Sequence, residues 1–547
     1  LAKARECLGG MELYSPENLR QFNITLGWLR QWALSRSFGL GTRLPWDKEF
    51  LVESLSDSTI YMAYYTIAHV LQEGDIFGRG DHLVKAEAVT DAVFDHIFLD
   101  KPCPEGCQVP ADKLELMRRE FNFWYPFDLR VSGFDLIQNH LTFTVYNHTA
   151  IFKKEHWPRA FRCNGHLLLN KEKMSKSTGN FKTLKQAIEE YSADAMRIAL
   201  ADAGDGLDEA NFVEETANAS ILRLTKELAW IEEQLAPAAG LRTGPADTFG
   251  DRVFAAEIEL LLQTTLGHYD ALNFREVLKF GWYDLQTARD NYRLVCGGDK
   301  GMHAALVQRF VEVQCLLMGP ITPHTSEHIW CNLLKKEGPV VRALMPTPTV
   351  TSEHANLQMA GRYLQDTITD LRKLVARVET PKKPRKGEPV VPVAKVAGAT
   401  AYVKETFTGW HRLCLAVLAA NFSGGAFVEG VDRLVLDALA KDPEAAASCE
   451  GGEKMLKKLA MPFVQFKKAE AINVGPHVLQ ERLPFDELAV LSENAEFVAK
   501  SLNLQSFTAC LTTAPEAANA PEGTKVADAL PGKPAIGFTS APPPPAQ

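Results

Sequence analysis

Hydrophobic positions along the chain change their period four times. Up to about residue 211, short apolar runs alternate with aromatic clusters and glycine-bounded turns. The run from Phe127 to Gly133 reads as a strand entering a glycine turn, and His166-Leu167-Leu168-Leu169-Asn170 as another short strand. Thr183 with Gln186 three residues later is a capping-box pattern, which predicts a helix starting there. Strands interleaved with helices predict an α/β arrangement over 1–210.

From 211 to 345 the period lengthens. Ile221, Leu224, Leu228, Ile231 and Leu235 recur at steps of three and four, and Leu306, Phe310, Val313 and Leu317 repeat the pattern. Several helices with one apolar stripe each predict a bundle. Residues 346–389 read as a helical segment and a basic linker, because 381–389 holds three prolines and no apolar residue that could pack a core. Residues 390–513 read as a small mixed α/β domain. The low-complexity stretch 514–547, with its closing proline run, reads as a disordered tail. No internal repeat is visible.

Composition narrows the class. The chain has 547 residues, 46% hydrophobic and 23% charged, which suits a globular protein of several domains. No apolar run approaches the roughly 20 residues needed to cross a bilayer, so no membrane partner is expected. The chain opens on Leu1, with charges where the apolar core of a signal peptide would lie. Ten cysteines, scattered singly from Cys7 to Cys510, do not form a secreted disulfide framework and point to a reducing, cytoplasmic setting. The close pair Cys103 and Cys107 lacks the second pair that a zinc site wants, and it reads as a surface loop. His324 and His328, four apart, lack the glutamate of a zincin motif and read as packing residues. No structural metal is expected.

A net charge of −9 argues against wholesale capture of nucleic acid. Residues 151–190 differ, with nine Lys or Arg against four Glu. A polyanionic ligand could sit there. Within that stretch lies Lys173-Met174-Ser175-Lys176-Ser177, between a strand and a capped helix. Two ammonium groups on such a loop can neutralise the charge that develops as pyrophosphate leaves a triphosphate. Ser175, Ser177 and backbone amides can add hydrogen bonds to phosphate.

This pentapeptide resembles the second signature of class I aminoacyl-tRNA synthetases. The stretch from Trp32 to Trp46 resembles the segment by which those chains re-enter the catalytic domain after an inserted editing domain. Glu53 to Tyr65, Val131-Ser132-Gly133-Phe134-Asp135 to His140, Asn164 to Lys173 and Ala201 to Asp205 are similar to leucyl-tRNA synthetases of the eukaryotic and archaeal cytosolic type. Pro320 to Trp330 resembles a helix of that family's anticodon-binding bundle, and the resemblance extends over about 1–513. It implies an α/β second half of a class I Rossmann-like catalytic domain, then an α-helical bundle and a small mixed α/β C-terminal domain.

The resemblance also implies an aminoacyl-tRNA ligase that uses ATP with Mg2+, leucine and tRNA(Leu), with other synthetases or regulatory proteins left open as partners. Lys173 and Lys176 would be catalytic. Gly133, Asp135, Leu168, Leu169, Met174, Ser175 and Ser177 would join them in binding ATP, and Tyr61, Tyr64 and His140 would line the amino-acid pocket. The basic linker could be a localisation signal, a tRNA contact or a spacer. The family's first signature, His-x-Gly-His, does not occur in the sequence. The resemblance therefore implies a C-terminal portion, with that signature and the editing domain before Leu1, inactive in adenylate formation alone. An isoleucyl or valyl synthetase, or a non-catalytic tRNA-binding or regulatory relative, remains the alternative.

Overall fold

Helix boundaries in this chain follow local capping chemistry. In a computed structural model that describes residues 1–80, 84–175, 177–380, 395–449 and 452–540, Ser15 accepts a hydrogen bond from the Glu17 amide at 3.2 Å and starts the helix Pro16–Trp28. Thr248 and Asp251 bond each other's amides in a full capping box and start the helix Phe249–Asp270. The expected box at Thr183 is present too. The Thr183 amide donates to Gln186 Oε1 at 3.0 Å and the Gln186 amide to Thr183 Oγ1 at 3.2 Å, ahead of the helix Leu184–Tyr191.

The chain divides into two compact units. The first holds Leu1–Tyr191 and Ala199–Asn218, the second Ser192–Ile198 and Ala219–Gln547. In the first unit, strands β1 (Ser35–Arg36) and β2 (Leu51–Val52) pair antiparallel. Between them, in the segment likened to a re-entry point, Phe38, Leu40 and Trp46 are exposed. Strands β3 (Arg130–Gly133) and β4 (Phe161–Asn164) pair in parallel, which is the α/β character expected of this region. A second, three-stranded sheet has β5 (Leu167–Leu169) between β6 (Glu172–Lys173), antiparallel, and β7 (Ala210–Phe212), parallel. Two apolar clusters lie in this unit. One gathers Phe22, Leu26, Ile137, Leu141, Val145 and Phe161. The other gathers Ile67, Ile97, Met117 and Phe121 from the helices Tyr61–Gln72, Asp91–Leu99 and Ala111–Trp124, with Tyr125 just past the last of them.

In the second unit the helical stripes become a bundle. Ile231, Phe254, Leu262, Leu285, Phe310, Val313 and Leu317 share one core. They come from the helices Glu214–Leu235, Phe249–Asp270, Leu285–Val295 and Ala304–Met318. His324 and His328 lie on the helix Pro323–His328, where His328 Nδ1 is 2.9 Å from Asn332 Nδ2. The long helix Ser352–Glu379 packs with a sheet in the order β11 (Ser506–Leu511), β8 (Val396–Val403), β12 (Ala535–Ser540). A further helical cluster around Cys414, Leu415, Val435 and Val464 carries the small hairpin β9 (Phe422–Ser423) and β10 (Ala426–Phe427).

The disordered tail expected from residue 514 is corrected over 514–540. Ile536 and Phe538 pair antiparallel with Ala401 and Ala399 of β8, so the tail supplies the third strand of the sheet. Composition hid this, because the partner strand is remote in sequence and the strand itself is short. Residues 541–547 lie outside the described residues, as does the expected linker at 381–389.

Candidate active site

Parallel strands leave a crevice at their carboxyl ends, and ligands of α/β folds gather there. Gly133 ends β3 and is paired with Asn164 at the end of β4. A Cβ on Gly133 would lie 2.7 Å from Asp135 Oδ1, so glycine lets the Asp135 carboxylate fold back against the strand end. Asp135 sits in the 3₁₀ turn Phe134–Leu136, and His140 follows in the wide turn Ile137–Leu141.

His140 is 6% exposed, with Nδ1 at 3.2 Å from Ser58 Oγ and Nε2 buried without a partner among the described residues. Burial, aided by the nearby Arg130 charge, pushes the imidazole down to about 4, so it is neutral at pH 7. Arg130 donates to the Tyr61 hydroxyl at 3.2 Å and lies 5.6 Å from its ring centre. Ser58, Tyr61, Arg130 and His140 thus form one cluster. Tyr64 is exposed and makes no hydrogen bond or ring contact with them among the described residues.

The signature loop grows from the second sheet. Leu168 is the cross-strand partner of Lys173, and Leu169 of Glu172, so two expected site residues face each other across the ladder. Leu169 is buried. Asn170 and Lys171 adopt φ of +50° and +69°, a two-residue hairpin of the kind asparagine favours. Beyond Lys173, the Ser175 amide donates to the Asn180 carbonyl at 2.9 Å and Asn180 Nδ2 to the Lys173 carbonyl at 3.3 Å. Ser175 Oγ and Ser177 Oγ are 2.8 Å apart. Gly179, at φ +75°, reverses the chain without the Cβ strain another residue would meet. Met174 is half-buried beside them. Lys173 is exposed, and its ammonium has no ion-pair partner among the described residues, which leaves it available to an anion. Lys176 lies outside the described residues.

Several residues of this arrangement were not legible as site residues. The Glu214 carboxylate accepts from Lys182 Nζ at 2.7 Å, the Tyr191 hydroxyl at 2.9 Å and Asn170 Nδ2 at 3.0 Å. The hydrogen bond from Lys182, with those from Asn170 and Tyr191, holds this carboxyl down at about 2. Lys182 also pairs with Glu190. Lys182 counted only toward the basic excess, and no local pattern ties Glu214 to a turn 44 positions earlier. Arg130 likewise meets Tyr61 only in the fold.

Comparison with known proteins converges on one family. Residues 114–219 match the family described as tRNA synthetases class I (C) catalytic domain, and 251–390 match the anticodon-binding domain of tRNA ligase. The chain is 48% identical over 507 residues to the cytoplasmic leucine–tRNA ligase of Arabidopsis thaliana, covering 92% of this chain and 46% of that protein. For the cytoplasmic enzyme of Pongo abelii the identity is 43%, over 91% of this chain and 42% of the relative. For that of Saccharomyces cerevisiae it is 38%, over 98% and 49%. The chain spans about half the length of these curated relatives. On these matches, the chain belongs to the leucine–tRNA ligase family of class I aminoacyl-tRNA synthetases.

Proposed function

We propose that this chain supplies the phosphate-binding loop and the tRNA-binding bundle of a cytoplasmic leucine–tRNA ligase. The cytoplasmic setting rests on the names of the relatives. In the reaction, a leucine carboxylate oxygen attacks the α-phosphorus of ATP, the bond to the bridging oxygen breaks, and pyrophosphate leaves. The leucyl group then passes from the adenylate to a ribose hydroxyl of tRNA(Leu), releasing AMP. The observation that carries the reading is the exposed Lys173 on a loop whose five-residue signature follows a paired strand.

Lys173 and Lys176 act by charge on the departing phosphates, not as acid or base. Ser175, Ser177 and the backbone at Met174 donate to phosphate oxygens. Asp135 accepts from the ribose hydroxyls beside Gly133, and the backbone at Leu168 and Leu169 borders the adenine. Neutral His140, whose Nε2 has no partner among the described residues, faces the amino acid together with Tyr61 and Tyr64. Among the described residues no group of three or more His, Cys, Asp or Glu is placed to hold a metal. Magnesium would therefore enter on the phosphates of ATP, where it neutralises charge.

Leucine-dependent ATP–pyrophosphate exchange by the full-length protein tests this. Lys173→Ala and Lys176→Ala should each lower kcat by about 100-fold and leave tRNA(Leu) affinity unchanged. Equal losses in exchange and tRNA binding would overturn the assignment of the loop. Exchange stimulated by isoleucine or valine instead would overturn the substrate.

A further inference from the structure

The signature loop is an excursion of eleven residues between Asn170 and Lys182; the Leu168–Lys173 and Leu169–Glu172 pairs register its first residues on β5, and from Ser175 to Asn180 the hydrogen bonds among the described residues run within the loop. Ser175 bonds to Asn180, Thr178 to the Ser175 carbonyl, and Asn180 to the Lys173 carbonyl. The bonds within 175–180 shape the tip of the loop but do not fix where it stands; the ladder and the two feet do that. The entering foot is the Asn170-Lys171 turn, where Asn170 Nδ2 reaches Glu214 Oε2 at 3.0 Å and the Glu214 amide returns a bond to Asn170 Oδ1 at 3.2 Å. The Lys171 amide adds a bond to Asn211 Oδ1 at 2.6 Å. The leaving foot is Lys182, whose ammonium reaches Glu214 Oε1 at 2.7 Å and the Tyr191 hydroxyl at 2.9 Å. Glu190 is the other carboxylate on this foot, and the Tyr191 hydroxyl, 2.6 Å from it, shares its one proton between Glu190 and Glu214.

We infer that Glu214 is a positioning residue for Lys173: its single carboxylate ties the turn that closes the β5–β6 hairpin and the leaving foot of the loop to the start of the helix after β7, and together with the ladder it sets where the Lys173 ammonium stands. Glu190 cannot replace it, since it holds the leaving foot alone. Asn211 cannot either, since it holds the entering foot alone. Among the described residues only Glu214 bonds both, and a carboxylate with two oxygens facing different donors is suited to that task. Misplacement of a charged group by about 1 Å is enough to cost about 100-fold in rate when the group must meet a developing charge. The assignment rests on the proposed phosphate-binding role of the loop, and the experiment separates the two.

Two readouts are taken on the full-length protein. The first is backbone hydrogen exchange of 171–181 by mass spectrometry, which needs no activity. The second is leucine-dependent ATP–pyrophosphate exchange. Glu214→Ala should raise exchange at the Ser175 amide by about tenfold and lower kcat by about ten- to 100-fold with the KM for leucine unchanged. Glu214→Gln keeps an acceptor of the right reach for one foot and should recover part of both effects. Asn170→Ala and Lys182→Gln each free one foot, so each should give a smaller loss and the pair together should match Glu214→Ala. That set decides the matter even where Glu214→Ala does not fold. Loop exchange and kcat within twofold of the parent in Glu214→Ala would overturn the proposal. So would a loss of kcat with loop exchange unchanged. If the parent protein shows no leucine-dependent exchange, the function fails, and hydrogen exchange alone still decides whether Glu214 holds the loop.

Discussion

Glu214 and Glu227 stand on the same helix, Glu214–Leu235, and hold charge in opposite ways. Glu214 is about one-third exposed and takes donors from three segments, and its carboxyl lies well below the usual range because Lys182 donates to it. Glu227 is 6% exposed and both its oxygens lie 2.7 Å from Arg289 Nη1. Burial pushes its carboxyl up against the pull of Arg289. Arg289 in turn stacks over Trp230 at 4.2 Å. The half-exposed network contributes little to folding, since water and salt screen it, yet it fixes a loop. The buried pair fixes no loop, yet its charges tolerate no loss. Chemistry and stability are thus assigned to different carboxylates by their exposure.

The largest effect should come from separating the buried pair. Arg289→Met leaves Glu227 without its cation and should cost the second unit about 3–5 kcal/mol in chemical denaturation, whereas Glu227→Leu combined with Arg289→Met should recover most of that. A single-variant loss below about 1 kcal/mol would show that the pair is idle, and the contrast with Glu214 would collapse.

A smaller effect, and one that depends on pH, is expected at Glu257. This residue lines a cavity of about 560 Å³ between the helices Phe249–Asp270, Leu285–Val295 and Ser352–Glu379. Burial pushes its carboxyl from near 4.5 up to about 7, with Arg362 opposing. Between those two pH values the folded state keeps a proton that the unfolded state has lost. Stability therefore falls as pH rises from about 4.5 to 7 and stays reduced above it. Glu257→Gln removes the penalty. It should stabilise the second unit by about 1–2 kcal/mol at pH 8 and be neutral at pH 4, read as the midpoint of urea unfolding at each pH. Equal shifts at both pH values would assign the gain to packing.

The same division explains what was legible in the sequence. Long apolar stripes predicted the bundle helices because Phe310, Val313 and Leu317 bury one face every turn, a signal repeated several times along each helix. The loop signature was legible because it is local. The contacts that position it were not: Asn170 meets Glu214 across 44 positions and Arg130 meets Tyr61 across 69. Each is one polar pair with no period. Strand β12 failed for the same reason, since Ala535–Ser540 has meaning only beside β8, and the proline-rich composition around it points away from order.

The smallest effect tests whether the exposed side of this division is local in its energetics too. Thr183 caps the helix Leu184–Tyr191 one residue after Lys182, with bonds of 3.0 and 3.2 Å to Gln186. Thr183→Ala removes one half of the box and should cost about 1 kcal/mol. If the loop region opens independently of the core, that loss belongs to the helix end and its neighbours. Hydrogen exchange should then quicken by about fivefold over 184–188, the value to which 1 kcal/mol corresponds, and remain unchanged in the helix Ala111–Trp124, whose Met117 and Phe121 are fully buried. A uniform rise across the first unit would mean that the cap supports the whole unit. The boundary between residues that hold the fold and residues that hold the loop would then have to be drawn farther from Lys173.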